Sequence, residues 1–390
     1  MERWQQAGFG LYVHWPFCQS KCPYCDFNSH VASSVDQNAW GDAFELELDR
    51  MRRETGPRRL SSIFFGGGTP SLMVPSLVER IISSATGHWS AANDIEITLE
   101  ANPTSAEIEK FRAFRSAGVN RVSIGVQSLN DADLRQLGRM HDAKEARSAI
   151  DMAQTIFDRF SFDLIYARQD QTLAQWEAEL NEALKIGSRH LSLYQLTIEP
   201  GTVFGARHAR GQLRGLPEED ISAEMYELTQ QICEAHGLPA YETSNHAAVG
   251  EESRHNMIYW RSGDFAAIGP GAHGRLTGPS GVRSAFENER SPAQWMARVM
   301  STGTGECERS SLTQMEAAEE FLVMGLRLRG GLDLSDLQAV SHHRVSQNSI
   351  SELIEIGMLE QDGSRIAATA AGRILLNSVL AKLELLPSPN

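Results

Sequence analysis

The chain has 390 residues and a formal charge of −14, long enough for two or three domains with a large core. An acidic balance gives no global attraction to nucleic acid or to anionic membranes. The start MERWQQAGFG has neither a basic nor an apolar stretch, and no segment approaches a membrane span of ~18 apolar residues, so a cytoplasmic protein without an integral membrane segment is expected. Five cysteines, three of them crowded together, argue against a disulfide framework.

Read in chain order, short β-branched or aromatic runs alternate with longer amphipathic ones. Strands are predicted at Leu11–His14, Ser62–Phe65, Ile95–Glu100, Val122–Val126, Phe160–Ile165 and Leu191–Leu196. Helices are predicted at Asn38–Glu54, Ser76–Ala85, Ser105–Ala117, Ala143–Phe157 and Thr172–Ile186, with stops at Gly118 and Gly187. Six such units give an α/β fold, a partial, open (β/α)6 barrel, whose chemistry should gather where strands end. Three segments are expected: a barrel over 1–240, a connecting region over 241–300 and a C-terminal domain over 301–390.

The first predicted strand runs into CQSKCPYC, with Cys18, Cys22 and Cys25 spaced x3 then x2. An iron–sulfur cube usually takes four cysteines, so three in one loop leave one iron open to a small molecule. A closed zinc site would need His14 or His30 as its fourth ligand. Cys233 and Cys307 lie outside any motif and read as inert packing residues. The second strand ends in GGGTPS, where glycines let backbone approach a ligand. Later strands end at Glu100 in EANP and Gln127 in GVQS, and Asp163 stands inside an apolar run, where a charge needs a partner.

The CxxxCxxC spacing followed by the glycine run resembles the radical S-adenosylmethionine (SAM) superfamily. That resemblance implies a [4Fe–4S] cluster whose fourth iron is chelated by SAM. YVHWPFC, GGGTPS, EANP, GVQS and IGPGAHG together resemble the HemN/HemW group, the oxygen-independent coproporphyrinogen III oxidase-like family. Carried over position by position, the SAM contacts would be Tyr12, Tyr24, Gly67, Gly68, Thr69, Glu100, Gln127, Arg139 and Asp163. The oxidase branch has a fourth cysteine where this chain has Phe27, and a longer extension where only eleven residues precede Tyr12. The run His255-Asn256-Met257-Ile258-Tyr259-Trp260 matches the HNxxYW signature of the haem-chaperone branch.

That branch implies haem as a third cofactor, haem-accepting respiratory proteins as partners, peripheral membrane contact through them, and a homodimer as one possible state. His255 is the expected haem ligand, with Tyr259 and Trp260 offering flat apolar surface, and His246 and His273 as alternatives. Arg254 and Arg261 could meet propionates. GPGAHG, residues 269–274, reads as a tight turn closing the barrel, with no ligand role. The oxidase alternative would make the chain an enzyme that removes propionate carboxyls by hydrogen abstraction; the chaperone reading needs no turnover.

After residue 290 the pattern changes. Glu316–Arg327, Leu334–Val340, Val345–Ile356, the short apolar runs at Met358–Glu360 and Ile366–Ala367, and a final helix over Ala371–Leu386 resemble a winged-helix α+β domain. From Ser311 to Asn390 there are six Lys/Arg and ten Asp/Glu, net −4, with no basic recognition face. A DNA-binding iron–sulfur sensor therefore fails on charge, and the domain is expected to pack over the barrel mouth or meet a protein partner.

Overall fold

A computed structural model describes residues 3–388. All six predicted strands form, the first five longer than their apolar runs and the sixth shifted by one residue: β1 Phe9–Trp15, β2 Arg59–Gly67, β3 Ser90–Ala101, β4 Arg121–Gln127, β5 Arg159–Tyr166 and β6 His190–Gln195. They pair successively in parallel. Near-continuous burial along β1 is what a strand covered on both faces requires.

The sheet then continues beyond the expected six strands. After the edge strand β7 (Asn245–Ala247) come β8 (Asp264–Ile268), β9 (His273–Thr277), β10 (Arg283–Asn288) and β11 (Glu306–Ser311). β8 pairs parallel to β1 on its free side, and β9 to β11 follow antiparallel. The order is β11-β10-β9-β8-β1-β2-β3-β4-β5-β6-β7, with seven parallel strands at its centre. The stretch expected to be a mere connection therefore supplies a barrel strand. A five-residue run between Gly263 and Gly269 carries too little periodicity to announce it.

Helices cover the outer face, and their caps follow sequence chemistry. Asp142 and Thr172 close capping boxes onto Glu145 and Gln175. The helix expected over Ser105–Ala117 is broken into Ser105–Ile108 and Phe111–Ser116. Its Glu107 is turned inward, held by Ser71 and by the Asn102 amide, which ties that first turn to the loop after β3.

The C-terminal module has its own core, built on Phe321, Leu337, Ile350, Leu353, Ile366 and Val379. Helices Gln314–Gly325, Leu334–Ser341 and Gln347–Glu355 precede the hairpin Leu359–Asp362 and Arg365–Ala368, onto which Leu332–Asp333 adds a strand. The final expected helix is broken into Ala370–Ile374 and Leu376–Lys382, and Leu385–Pro387 instead pairs with His343–Val345. The boundary expected at 301 also shifts, because β11 belongs to the large sheet. Glu320 of the module bonds Arg275 of β9 and Arg283 of β10. The module faces the starts of β1, β2 and β3, the end opposite the cysteine loop, so it does not cover the mouth as expected.

Candidate functional site

The cysteine loop leaves β1 at Trp15 and folds back on itself. Phe17–Cys18 pairs in parallel with His30–Val31, and the Cys25 amide donates to the Cys22 carbonyl at 3.1 Å. No disulfide forms. Burial raises the Cys18 and Cys25 thiols, and the negative charge of the neighbouring cysteines raises them further, so the sulfurs lie within electrostatic reach of one another. Among the described residues no trio of side chains is gathered tightly enough for a single metal ion. A cube relaxes that demand, since each thiolate ligates a different iron. Donors surround the sulfurs: Thr69 Oγ1 reaches Cys18 Sγ at 3.3 Å, and Arg139 reaches Cys22 Sγ at 3.4 Å. The buried Ser29 hydroxyl between Cys18 and Cys25 has no well-formed bond of its own. Three free thiols ringed by donors fit a cluster whose potential is set by hydrogen bonds to sulfur.

The loop is anchored through Asn28, a residue that the motif reading passed over. Asn28 Nδ2 donates to the carbonyls of Pro270 (2.9 Å) and Arg290 (3.0 Å). Its own carbonyl meets His14 Nε2 at 2.9 Å, and His14 Nδ1 meets the Tyr12 hydroxyl at 3.0 Å. Burial pulls His14 down to about 4, so it bridges as a neutral ring. A side chain at Gly269 (φ +99°) would strike the His14 carbonyl, and one at Gly271 (φ +70°) would strike Asn28. The GPGAHG segment is therefore the clamp beneath the cysteine loop rather than a simple closing turn. Asn28 stands three residues after Cys25, inside CPYCDFNSH, which is the signal that could have found it.

The expected SAM residues gather around this loop at the strand ends. Gly67 (φ +110°) presses on the His14 ring and donates its amide to Glu100 Oε2 at 3.3 Å. Gly68 packs on the backbone of Pro16 and Phe17, its amide donating to Trp15 O at 2.7 Å. Asn102 ties the group together: it donates to Thr69 Oγ1 and accepts from Arg139 at 2.7 Å. Tyr24 lies beside Cys22 and Arg139. Gln127 ends β4 at φ +70°, past a slip in the β4–β5 register after Ile124, and pairs with Leu164.

Two carboxylates set the electrostatics. Burial, then the charge of Asp163, pushes Glu100 up to about 8. Burial likewise pushes Asp163 up to about 6, against the pull of Ser192, Arg121 and Arg139. No salt bridge to either carboxylate is found among the described residues. Half-buried acids without a salt bridge of their own suit a cationic ligand, and SAM carries both a sulfonium and an ammonium.

HNMIYW forms the helix Arg254–Trp260, capped by Ser253, at the opposite end of the barrel. His255 is only 1% exposed. Its Nδ1 meets Ser62 Oγ at 2.7 Å, its Nε2 meets the Tyr259 hydroxyl, and its amide donates to Glu96 at 3.2 Å. The ring stacks on Phe64 with centroids 5.0 Å apart, and burial alone holds it down at about 3. Both nitrogens are thus engaged, against the expectation of a haem-facing imidazole, because the helix turns this face into the barrel. Trp260 and Met257 face outward into a large cleft. The alternatives fare no better as partners of this motif: His246 is buried within β7, paired with Leu191 of β6, and His273 is exposed beside Glu287. Of the remaining cysteines, Cys233 is buried, whereas Cys307 is exposed rather than packed.

No described helix is long and apolar enough to cross a membrane. Residues 12–183 match the Radical SAM superfamily, and residues 312–375 match the HemN C-terminal domain. The chain is 38% identical to the mitochondrial Radical S-adenosyl methionine domain-containing protein 1 of Bos taurus, over 96% of this chain and 86% of that one. It is 35% identical to the Heme chaperone HemW of Escherichia coli, over 95% and 96%. Among solved structures, the coproporphyrinogen III oxidase HemN of Escherichia coli matches with a TM-score of 0.80 over 96% of this chain and 89% of that one; at 21% identity this shows the fold alone. The chain therefore belongs to the radical SAM superfamily, in the family that unites the Heme chaperone HemW with Radical S-adenosyl methionine domain-containing protein 1.

Proposed function

We propose that this protein is a haem chaperone that carries a [4Fe–4S] cluster and SAM, binds haem, and hands it to acceptor haemoproteins. The observation that carries the reading is full-length similarity to proteins named Heme chaperone HemW, supported by the HNMIYW helix. Cys18, Cys22 and Cys25 would hold the cluster, with Thr69 and Arg139 donating to its sulfur ligands. When bound, the cluster supplies an open iron and an electron source.

Around it, Gly67 and Gly68 would give SAM close backbone approach, and Glu100 and Asp163 would meet its cationic groups. Tyr12, Tyr24, Thr69, Gln127 and Arg139 complete that cradle. An oxidase reading keeps only the fold in its favour, since Phe27, 59% exposed, stands where that branch has a fourth cysteine. The test loads purified protein with haem and mixes it with an apo-haemoprotein acceptor. Chaperone action predicts saturable one-to-one loading and transfer faster than from haem held by serum albumin. Transfer no faster than from that control, together with anaerobic consumption of coproporphyrinogen, would replace this reading with the oxidase.

A further inference from the structure

A cleft of about 1660 Å³ lies between the start of the barrel strands and the C-terminal module. Drug-sized ligands occupy sites of ~300–1,000 Å³, so a macrocycle has room. One wall is the outer face of the helix Arg254–Trp260, through Met257 and Trp260; the other includes Leu328 and Gly330 of the module.

Helical geometry explains this presentation. His255 and Tyr259, four apart, share the inward face, while Met257 and Trp260, three apart, share the outward one. Arg327 lies over the Trp260 ring at 5.8 Å. Arg59 on the rim is exposed and has no ion-pair partner among the described residues, so it can meet a carboxylate.

We propose that haem occupies this cleft, with the Met257 thioether offered to the iron, Trp260 against the macrocycle and Arg59 receiving a propionate. His255 lies on the opposite face of that helix, bonded to Ser62 and Tyr259 inside the barrel, and does not line the cleft. The proposal rests on the chaperone reading and names its haem site. A thioether is an established axial ligand of haem iron. A single one is readily displaced by an imidazole from an acceptor, as a carrier requires.

The test titrates the full chain with haem and with metal-free protoporphyrin, following absorbance, for wild type, Gly330→Trp, Met257→Ala and His255→Gln. A β-carbon at Gly330 meets nothing within 4 Å, so the indole can project into the cleft without straining the fold. Gly330→Trp should weaken both tetrapyrroles at least tenfold. Met257→Ala should weaken haem and change its spectrum while leaving protoporphyrin unchanged. His255→Gln should bind haem within about threefold of wild type when its melting curve shows a folded protein. Loss of haem in His255→Gln with wild-type binding in the other two would overturn the proposal. Wild-type protein that binds neither tetrapyrrole defeats the chaperone reading and the cleft together. Wild type and Gly330→Trp binding haem equally defeats the cleft alone.

Discussion

The two ends of the barrel treat their polar groups in opposite ways. Where strands finish, three thiols, two raised carboxylates and the Ser29 hydroxyl lack full compensation from the protein. Where strands begin, His255 is satisfied three times over, by Ser62, Tyr259 and Glu96. Buried polar groups without partners cost stability and are retained where a ligand completes them. Satisfied ones hold structure. A motif histidine is thus separated from the surface that its own helix exposes.

The sharpest break of this comparison is at the cysteines. Cys22→Ala should remove essentially all cluster iron and the broad visible absorbance of the reconstituted protein, while leaving the melting of the apo-protein nearly unchanged. Retained iron would show that the strand-end thiols are not the ligands. Next comes Glu100→Gln. Losing a charged hydrogen-bonding partner of about 1.5–3 kcal/mol should weaken SAM binding roughly ten- to a hundredfold, read by anaerobic calorimetry. A Glu100→Gln variant that binds SAM like wild type would remove the carboxylate from the cradle.

At the other end, His255→Ala should cost about 1–3 kcal/mol of stability by leaving Ser62 and Tyr259 unpaired, measured by urea unfolding. No loss of stability would mean that its bonds hold nothing. Asn28→Ala should lower the melting temperature by a few degrees and speed iron loss to a chelator, because the loop loses its hold on Pro270 and Arg290.

The smallest effect is with pH. Glu100 titrates higher in the folded state than unfolded, so its protonated form favours folding. That contribution is full below about pH 4.3, the ordinary range of a glutamate, and is lost as pH rises through about 8. Ligand-free wild type should therefore lose more stability between pH 5 and 8 than Glu100→Gln, and saturating SAM should narrow the gap. Parallel pH profiles for the two proteins would refute the raised carboxylate.

Much of the strand-end site was legible from spacing. CxxxCxxC, GGGTP, EANP and GVQS each follow an apolar run, and the parallel fold delivers all of them to one end. Asn28 and Asn102 were not singled out, because their partners lie far along the chain: Asn28 reaches Pro270 and Arg290, and Asn102 bridges Thr69 and Arg139. Strand β8 escaped for a related reason, since its partner β1 lies some 255 positions earlier and only pairing gives five residues a strand.

By itself the sequence determined the parallel α/β alternation, the thiol loop, the glycine approach and the character of the C-terminal module. These depend on local period, spacing and backbone freedom, which a chain carries before it folds. Tertiary structure alone decided which face of HNMIYW looks inward, that GPGAHG clamps the cysteine loop, and that the module lies at the end remote from it. Those follow from contacts between distant segments, and no local pattern encodes which neighbour a side chain will meet.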